Sequence, residues 1–341
     1  MKKILTVFIG FVLFIISCST KQQLQPIEKT KLMMGTIVQI KVYNKLQNIE
    51  QIIEKAFAAM ENVNKLASNY IDSSQISIIN REAHKFFLEI DPSLFKIIEQ
   101  SQQISDMTEG AYDITISPLL KLWNYNDPNP QLPSEEEIKR ASMFVNYKNV
   151  LLKKNKIKFT KQGMRIDLGG IAKGYAVDKA MKVLLKHGIK DALIDAGGDF
   201  SAISGDLTKG KRKVWIKHPR QKDRLFGYFH IDNGSVATSG DYERFFFVDS
   251  VRYHHIINPK TGYPANESIS VTIKAYSAMM ADALATAVFL IGPEKGINLI
   301  NQFDDVEGII IYEKNKKLEH VVSKGLIGNF FVTDQRSETA N

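Results

Sequence analysis

The stretch Asp167-Leu168-Gly169-Gly170-Ile171-Ala172-Lys173-Gly174 gathers three glycines and a lysine directly ahead of a helical segment. Glycine lets backbone come close to a ligand, and a helix start presents N–H groups with no partner of their own. Lys173 adds a positive charge, so the stretch suits a phosphate or pyrophosphate; a tight turn with close packing is the other reading. Its spacing is that of neither a P-loop nor a dinucleotide fingerprint, and no Ser or Thr follows the lysine. A second group lies in Ala281-Asp282-Ala283-Leu284-Ala285-Thr286-Ala287. Asp282 and Thr286 are one helical turn apart and share a face among small apolar neighbours. A buried carboxylate needs a partner; a hard cation such as Mg²⁺, which takes one or two carboxylates plus phosphate or water, would satisfy it. A cap or a salt bridge inside the core would do so too. The third group, His254-His255-Ile256-Ile257-Asn258-Pro259-Lys260-Thr261-Gly262-Tyr263-Pro264, ends in a turn-rich loop of the kind that walls active sites. Adjacent histidines on a strand point to opposite faces, so one at most would serve as a general base and the other is structural. Asp113, Asp195, Asp199 and Asp241 occupy turn positions. Singly they read as turn formers; together they imply carboxylates converging near a cation, a ribose or an adenine.

These groups need elements to hold them. Residues 36–42 alternate as a strand, and the apolar spacing over residues 49–66 predicts a long amphipathic helix. A helix is expected from Pro92 to about Met107, and residues 124–133, rich in Asn and Pro, form a loop. Ser134 and Glu137 make a capping box for a short helix. Residues 150–160 read as a hairpin turning near Asn155. A helix from the glycine turn ends near His187 and Gly188, and a strand at residues 192–194 runs into Gly197-Gly198-Asp199. Further strands are expected near Val214, Phe229, Phe245 and Ser270. A helix spans residues 277–290, another starts at Pro293, and a last hairpin, residues 308–322, turns near Lys314-Asn315. Helices and strands do not alternate regularly, so the expected class is α+β with a mixed, largely antiparallel sheet and packed helices.

The 341 residues allow one large domain or two intimately packed ones. The formal charge of +8 is dispersed among acidic residues, which argues against a nucleic-acid binder. The basic stretch at residues 209–217 is either a solvated hairpin rim or a surface for an anionic partner. Lys2 and Lys3 precede an apolar run, residues 4–16, in the layout of an export signal. That run is too short to span a bilayer comfortably. Cys18 is the sole cysteine, so an intramolecular disulfide and a Cys-rich zinc site are excluded. Ile15-Ile16-Ser17-Cys18 resembles a bacterial lipobox, with Ile15 in place of the usual Leu; acylation of Cys18 would anchor the chain. The expected organisation is a signal peptide at residues 1–17, a lipidated tether at 18–31 and one catalytic domain at 32–335.

The chain closely resembles the ApbE family of FAD:protein FMN transferases. The blocks that carry the likeness are Met34-Gly35-Thr36, residues 70–80 with Ser74 and Ile76, 110–118, 167–178, 197–199, 238–244, 255–264 and 277–287. The resemblance implies an ApbE-like fold and protein flavinylation: Mg²⁺-dependent transfer of FMN from FAD to a Thr or Ser hydroxyl of flavoprotein subunits in membrane redox complexes, with release of AMP. It implies a metal site of Asp282, Thr286 and the Ala172 carbonyl, for Mg²⁺ or another divalent cation. Met34 and Tyr70 would lie against flavin and nucleotide, with Asp113, Lys173, Asp199 and Glu243 placing FAD. His255 matches the family's functional histidine and Lys173 would assist the transfer. The likeness also implies a lipid-anchored location in the bacterial envelope, facing the periplasm or exterior. Asp199 stands where many members carry Asn, and Asn258 replaces a frequent Asp. Two alternatives stay open: an FAD pyrophosphatase giving FMN and AMP, and a periplasmic flavin-binding lipoprotein without turnover.

Overall fold

The computed structural model describes residues 26–44, 46–125, 127–205 and 211–333. The expected signal peptide, Cys18 and Lys209 lie outside them. The chain opens with a hairpin in which β1 (Ile27–Met33) pairs with β2 (Thr36–Val42) along its whole length. The expectation that the tether reaches residue 31 is therefore corrected, since residues 27–31 are strand. Their charges hid them: Lys29 and Lys31 sit on the sheet edge and pair with Glu50 and Glu54 of the next helix, and such charged edge strands lack an apolar alternation.

That helix, α1 (Ile49–Ala67), buries the expected stripe, Ile49, Ile52, Ile53, Ala56, Phe57, Met60 and Val63. Next come α2 (Gln75–Glu82), capped by Ser74, β3 (Leu88–Glu89), and α3 (Pro92–Met107), capped by Asp91 with Pro92 in its first turn. After α4 (Ser117–Trp123), the helix α5 (Glu135–Ser142) carries both halves of the Ser134–Glu137 capping box. β4 (Val150–Lys153) and β5 (Lys156–Phe159) turn through Lys154 and Asn155, both left-handed. Beyond the glycine turn, α6 (Ala172–Lys186) leads to β6 (Ala192–Ala196), β7 (Asp199–Ile203), β8 (Arg212–Lys217), β9 (Leu225–Ile231) and β10 (Gly234–Gly240). The hairpin of β11 (Phe245–Val248) and β12 (Val251–His254) is followed by β13 (Ser270–Ala275) and α7 (Ala278–Ile300). β14 (Glu307–Lys314), β15 (Lys317–Val322) and β16 (Phe331–Val332) close the fold.

Eight strands form the main sheet in the order β1-β2-β6-β7-β10-β13-β14-β15, and every neighbouring pair in it is antiparallel. The α+β expectation is met. Alternation along the strands splits the interior in two. Val271, Ile273 and Ile310 face the large core beneath α1, α6 and α7. Ile309 and Ile311 face a second core, closed by the small sheet β16-β9-β8 on the other side. A third cluster, around Trp123, Ile138 and Ile257, joins α4 and α5 to the loop after His255.

The helix α7 is long and apolar enough to cross a membrane by composition, but most of it is packed inside the protein. Gly292, with φ 80° and ψ 176°, breaks it just before Pro293, so the second segment starts at the proline as the sequence implied.

Candidate active site

The glycine turn is built from a distance. Asn80 on α2 pairs with the backbone of Ile166 as a strand would, its Oδ1 accepting from Ile166 N at 2.7 Å and its Nδ2 donating to Ile166 O at 3.0 Å. The same Nδ2 donates to Asn69 Oδ1 at 2.9 Å, and Asn69 Nδ2 donates to Asp167 Oδ2 at 2.8 Å. Asp167 Oδ1 then accepts from Gly169 N at 2.7 Å. This strut fixes Gly169-Gly170 against α7, where a Cβ on Gly170 would stand 3.0 Å from Thr286 Oγ1. Gly174 is required more strictly: a Cβ there would come within 2.2 Å of the Ala278 carbonyl oxygen. The two helices touch backbone to backbone. Asp178 locks the contact, accepting from Ala278 N at 2.8 Å and Met279 N at 3.0 Å.

This crossing brings Asp282 to the start of α6. It is 6% exposed and its Oδ2 accepts from Gly174 N at 2.9 Å. Burial, reinforced by the charge of Asp199, pushes its carboxyl up from 3.8 to about 7. Lys173 forms an ion pair with buried Asp199. Burial works against the lysine's charge, but Asp199, Asp282 and Glu243 outweigh it and hold the ammonium above its ordinary value. When ionised, the cluster holds two carboxylates, Asp199 and Asp282, against one ammonium, which leaves one negative charge in excess. Thr286 Oγ1, a turn further along, lies 3.2 Å from Ser239 Oγ on β10. The structure thus joins Ala172, Lys173, Asp282, Thr286 and Asp199 at one place. No group of three or more His, Cys, Asp or Glu side chains arranged for a metal occurs among the described residues. Asp282 and Thr286 bring a carboxylate and a hydroxyl to this place, oxygen donors of the hard kind.

Two hairpins carry the candidates Met34 and His255. Met34 and Gly35 form the β1–β2 turn with φ of 51° and 73°. That geometry favours Asn or Gly, so a methionine there is a strained residue of the sort that marks functional sites. Arg244, at the foot of β11, reaches to 3.8 Å from where a Cβ of Gly35 would be. His255 continues the β11–β12 ladder: its N–H donates to Arg244 O at 3.1 Å and its Nδ1 lies 3.3 Å from the same oxygen. Burial, then the nearby Arg244, pushes its imidazole down to about 4. With Nδ1–H donating to Arg244, the Nε2 lone pair is left to accept a proton. His254 is spent otherwise, with Nε2 at 2.7 Å from Ala265 O and Nδ1 accepting from Ile256 N at 3.3 Å.

A family model described as the ApbE family matches residues 34–310. The chain belongs to the ApbE family. It is 31% identical to the FAD:protein FMN transferase of Treponema pallidum (strain Nichols), over 94% of this chain and 93% of that protein. With the enzyme of the same name from Klebsiella pneumoniae (strain 342) it shares 29% identity over 84% and 89% of the two chains. Among solved structures, the flavin transferase ApbE of Vibrio cholerae superposes with a TM-score of 0.82 at 25% identity, covering 89% of this chain and 99% of that one. The ApbE protein of Thermotoga maritima gives 0.81 at 35% identity with the same coverage.

Within this ApbE chain the other sequence-derived candidates are placed as follows. Tyr70 adjoins Asn69 of the strut and is 79% exposed. Glu243 is exposed and acts on Lys173 through its charge. Asp113 is buried and engaged locally: Oδ1 accepts from Thr115 N and Thr115 Oγ1, and Oδ2 from Tyr147 N at 2.8 Å. Asp195 accepts from Gly198 N. Asp241 receives Arg220 in a two-pronged contact at 2.6 and 2.7 Å and Arg252 at 3.3 Å. Asn69 and Ser239 were not singled out from the sequence. Asparagine before an exposed tyrosine carries no signal until its partner 98 residues away is known.

Proposed function

We propose that the protein is an FAD:protein FMN transferase, moving FMN from FAD to a Thr or Ser hydroxyl of an acceptor flavoprotein. The observation that carries this reading is Asp282 of α7, a buried carboxylate that shares the single ammonium of Lys173 with Asp199 and lies against the first turn of α6 and its glycine turn. FAD presents a pyrophosphate, and the turn with its lysine supplies N–H groups and positive charge for one. Asp282, Thr286 and the Ala172 carbonyl would hold a Mg²⁺ ion, which supplies Lewis-acid withdrawal of charge from the phosphates. Lys173 neutralises charge on the leaving side. The neutral His255 imidazole accepts the acceptor hydroxyl's proton as that oxygen bonds to the FMN phosphorus. The anhydride bond breaks and AMP departs with its electron pair. Such loose phosphoryl transfers rely on positioning and electrostatics more than on deprotonation, so an imidazole with a low pKa is adequate. The strained Met34 turn and Tyr70 form the wall for the flavin.

The chain's apolar run at residues 4–16, followed by Ser17-Cys18, supports acylation at Cys18 and a place on the outer side of a bacterial membrane. Acceptors would then be the flavin-bearing subunits of redox complexes in that membrane.

The test incubates the protein with FAD and Mg²⁺, with and without an acceptor domain, and follows AMP and the acceptor's mass. AMP formed only with the acceptor, with its mass raised by one FMN, is the expected result. AMP formed equally without acceptor identifies an FAD pyrophosphatase, and no AMP at all identifies a flavin-binding protein.

A further inference from the structure

The outward face of β8–β9–β16 is unlike the rest of the surface. Trp215, Tyr228 and Phe331 are cross-strand partners in one row, with ring centroids 4.8 and 5.0 Å apart. Trp215 is 46% exposed, and Phe331 and Leu225 are exposed beside it. Lys213 lies over the rings of both Trp215 and Tyr228, and Lys217 follows on the same face. Neither lysine forms an ion pair with a carboxylate among the described residues. From residue 211 to 224 the sequence carries seven Lys and Arg against one acidic residue, Asp223; Lys211, Arg212 and Arg220 pair with Asp232, Asp191 and Asp241, so the outward charge rests on Lys213 and Lys217. The strand's other side, with Val214 and Ile216, is core, so packing does not account for the outward aromatics.

We propose that this face docks on anionic phospholipid, with the aromatic row at the headgroup level and the lysines against lipid phosphate. This rests on the reading that the N-terminus anchors the protein. Aromatic rings flanked by lysines are what the bilayer interface selects, and basic residues near it are drawn to anionic lipid. Chain length adds to the argument. Residues 19–26 span at most about 28 Å when fully extended, less than the roughly 50 Å diameter of a globule of this size. A tethered domain therefore always presents some face to the bilayer at high effective concentration, and weak affinity suffices to choose which. Residues 334–341, which follow the β16 segment, are polar or charged except for Ala340, and do not match an aromatic face.

The two tryptophans make the proposal measurable, because Trp123 is 1% exposed and Trp215 is the outer one. The full chain with its N-terminal anchor is reconstituted in vesicles of brominated phosphatidylcholine and phosphatidylglycerol. Expected is quenching of a blue-shifted Trp215 component that Trp215→Phe abolishes, lost in vesicles without the anionic lipid. Lys213→Gln with Lys217→Gln should lower the docked-to-undocked ratio about thirtyfold, from about 1 kcal/mol per basic residue. Trp215 emission insensitive to bromolipid and open to aqueous iodide would overturn the proposal. So would protection of Trp215 that appears only when an acceptor flavoprotein is added, which would make the face a protein-docking surface. FMN transfer to a soluble acceptor domain should be unchanged in these variants. Loss of transfer in the wild-type chain would count against the proposed activity, independently of where Trp215 sits.

Discussion

Replacing Asp282 by Asn changes the charge and little else, since the amide oxygen can still accept from Gly174 N. In the metal-free protein the native carboxyl is raised from 3.8 to about 7, so the fold binds a proton more tightly than the unfolded chain. Stability from this group is full below pH 3.8 and is lost progressively as pH rises to about 7. A carboxyl raised that far corresponds to about 4 kcal/mol. The amide relieves both the burial of the charge and its repulsion from Asp199 but matches the protonated carboxyl only approximately, so a difference of about 2–4 kcal/mol is expected above pH 7. With about 2 cal/mol/K of unfolding entropy per residue, this chain should show a Tm shift of about 3–6 °C. Asp282→Asn without metal is therefore expected to melt above the wild type at about pH 8, the gap closing towards about pH 4. Adding Mg²⁺ should raise the wild-type Tm and leave the variant unmoved, and the variant should transfer no FMN. Calorimetric scans across pH, with chelator or Mg²⁺, read all of this. A variant less stable than wild type at about pH 8, or one stabilised by Mg²⁺ to the same extent, would refute the account of Asp282.

His255→Ala should lower kcat for FMN transfer by about 10²–10⁴, with FAD affinity by calorimetry nearly unchanged. Because burial holds His255 down to about 4, the acid limb of kcat/KM that it governs should fall only as pH approaches that value; a limb at its ordinary 6.5 would contradict the environment described. In the strut, Asp167→Asn sets two amide N–H₂ groups against each other and should weaken FAD binding and kcat together. Combining it with Asn69→Asp reverses that donor and acceptor and should restore part of both, not all, because Asn69 Nδ2 also donates to Ile166 O at 3.2 Å and an aspartate cannot; a double variant no better than the single would show that the pairing does not govern the turn. Gly174→Ala must part α6 from α7, since its Cβ would be 2.2 Å from a carbonyl oxygen. A loss of more than about 3 kcal/mol in urea unfolding is expected, and a near-neutral effect would mean that the helices can slide apart.

Local signals were the legible part of this fold. Periodicity gave α1, the capping box gave α5, and the turns at Asn155 and Asn315 gave their hairpins. Edge strand β1 was hidden because its pairing is carried by backbone and its side chains by ions. The short helix α2 offers few turns for a period to show. At the site, the glycine turn and the Asp282/Thr286 face could be read because their residues are close in sequence. Their meeting could not, since Gly174 and Asp282 are 108 positions apart. Asp113 illustrates the converse: an acidic residue in a turn looks available until Tyr147, 34 positions on, proves to hold it.

The Gly174–Asp282 contact serves two ends at once, as an inter-helix tie in the core and as the placement of the reactive carboxylate. Loosening that tie displaces the carboxylate in the same movement. No partly melted form should retain turnover, so loss of activity on heating should coincide with the cooperative transition itself. The residual rate would then be a direct gauge of the native fraction.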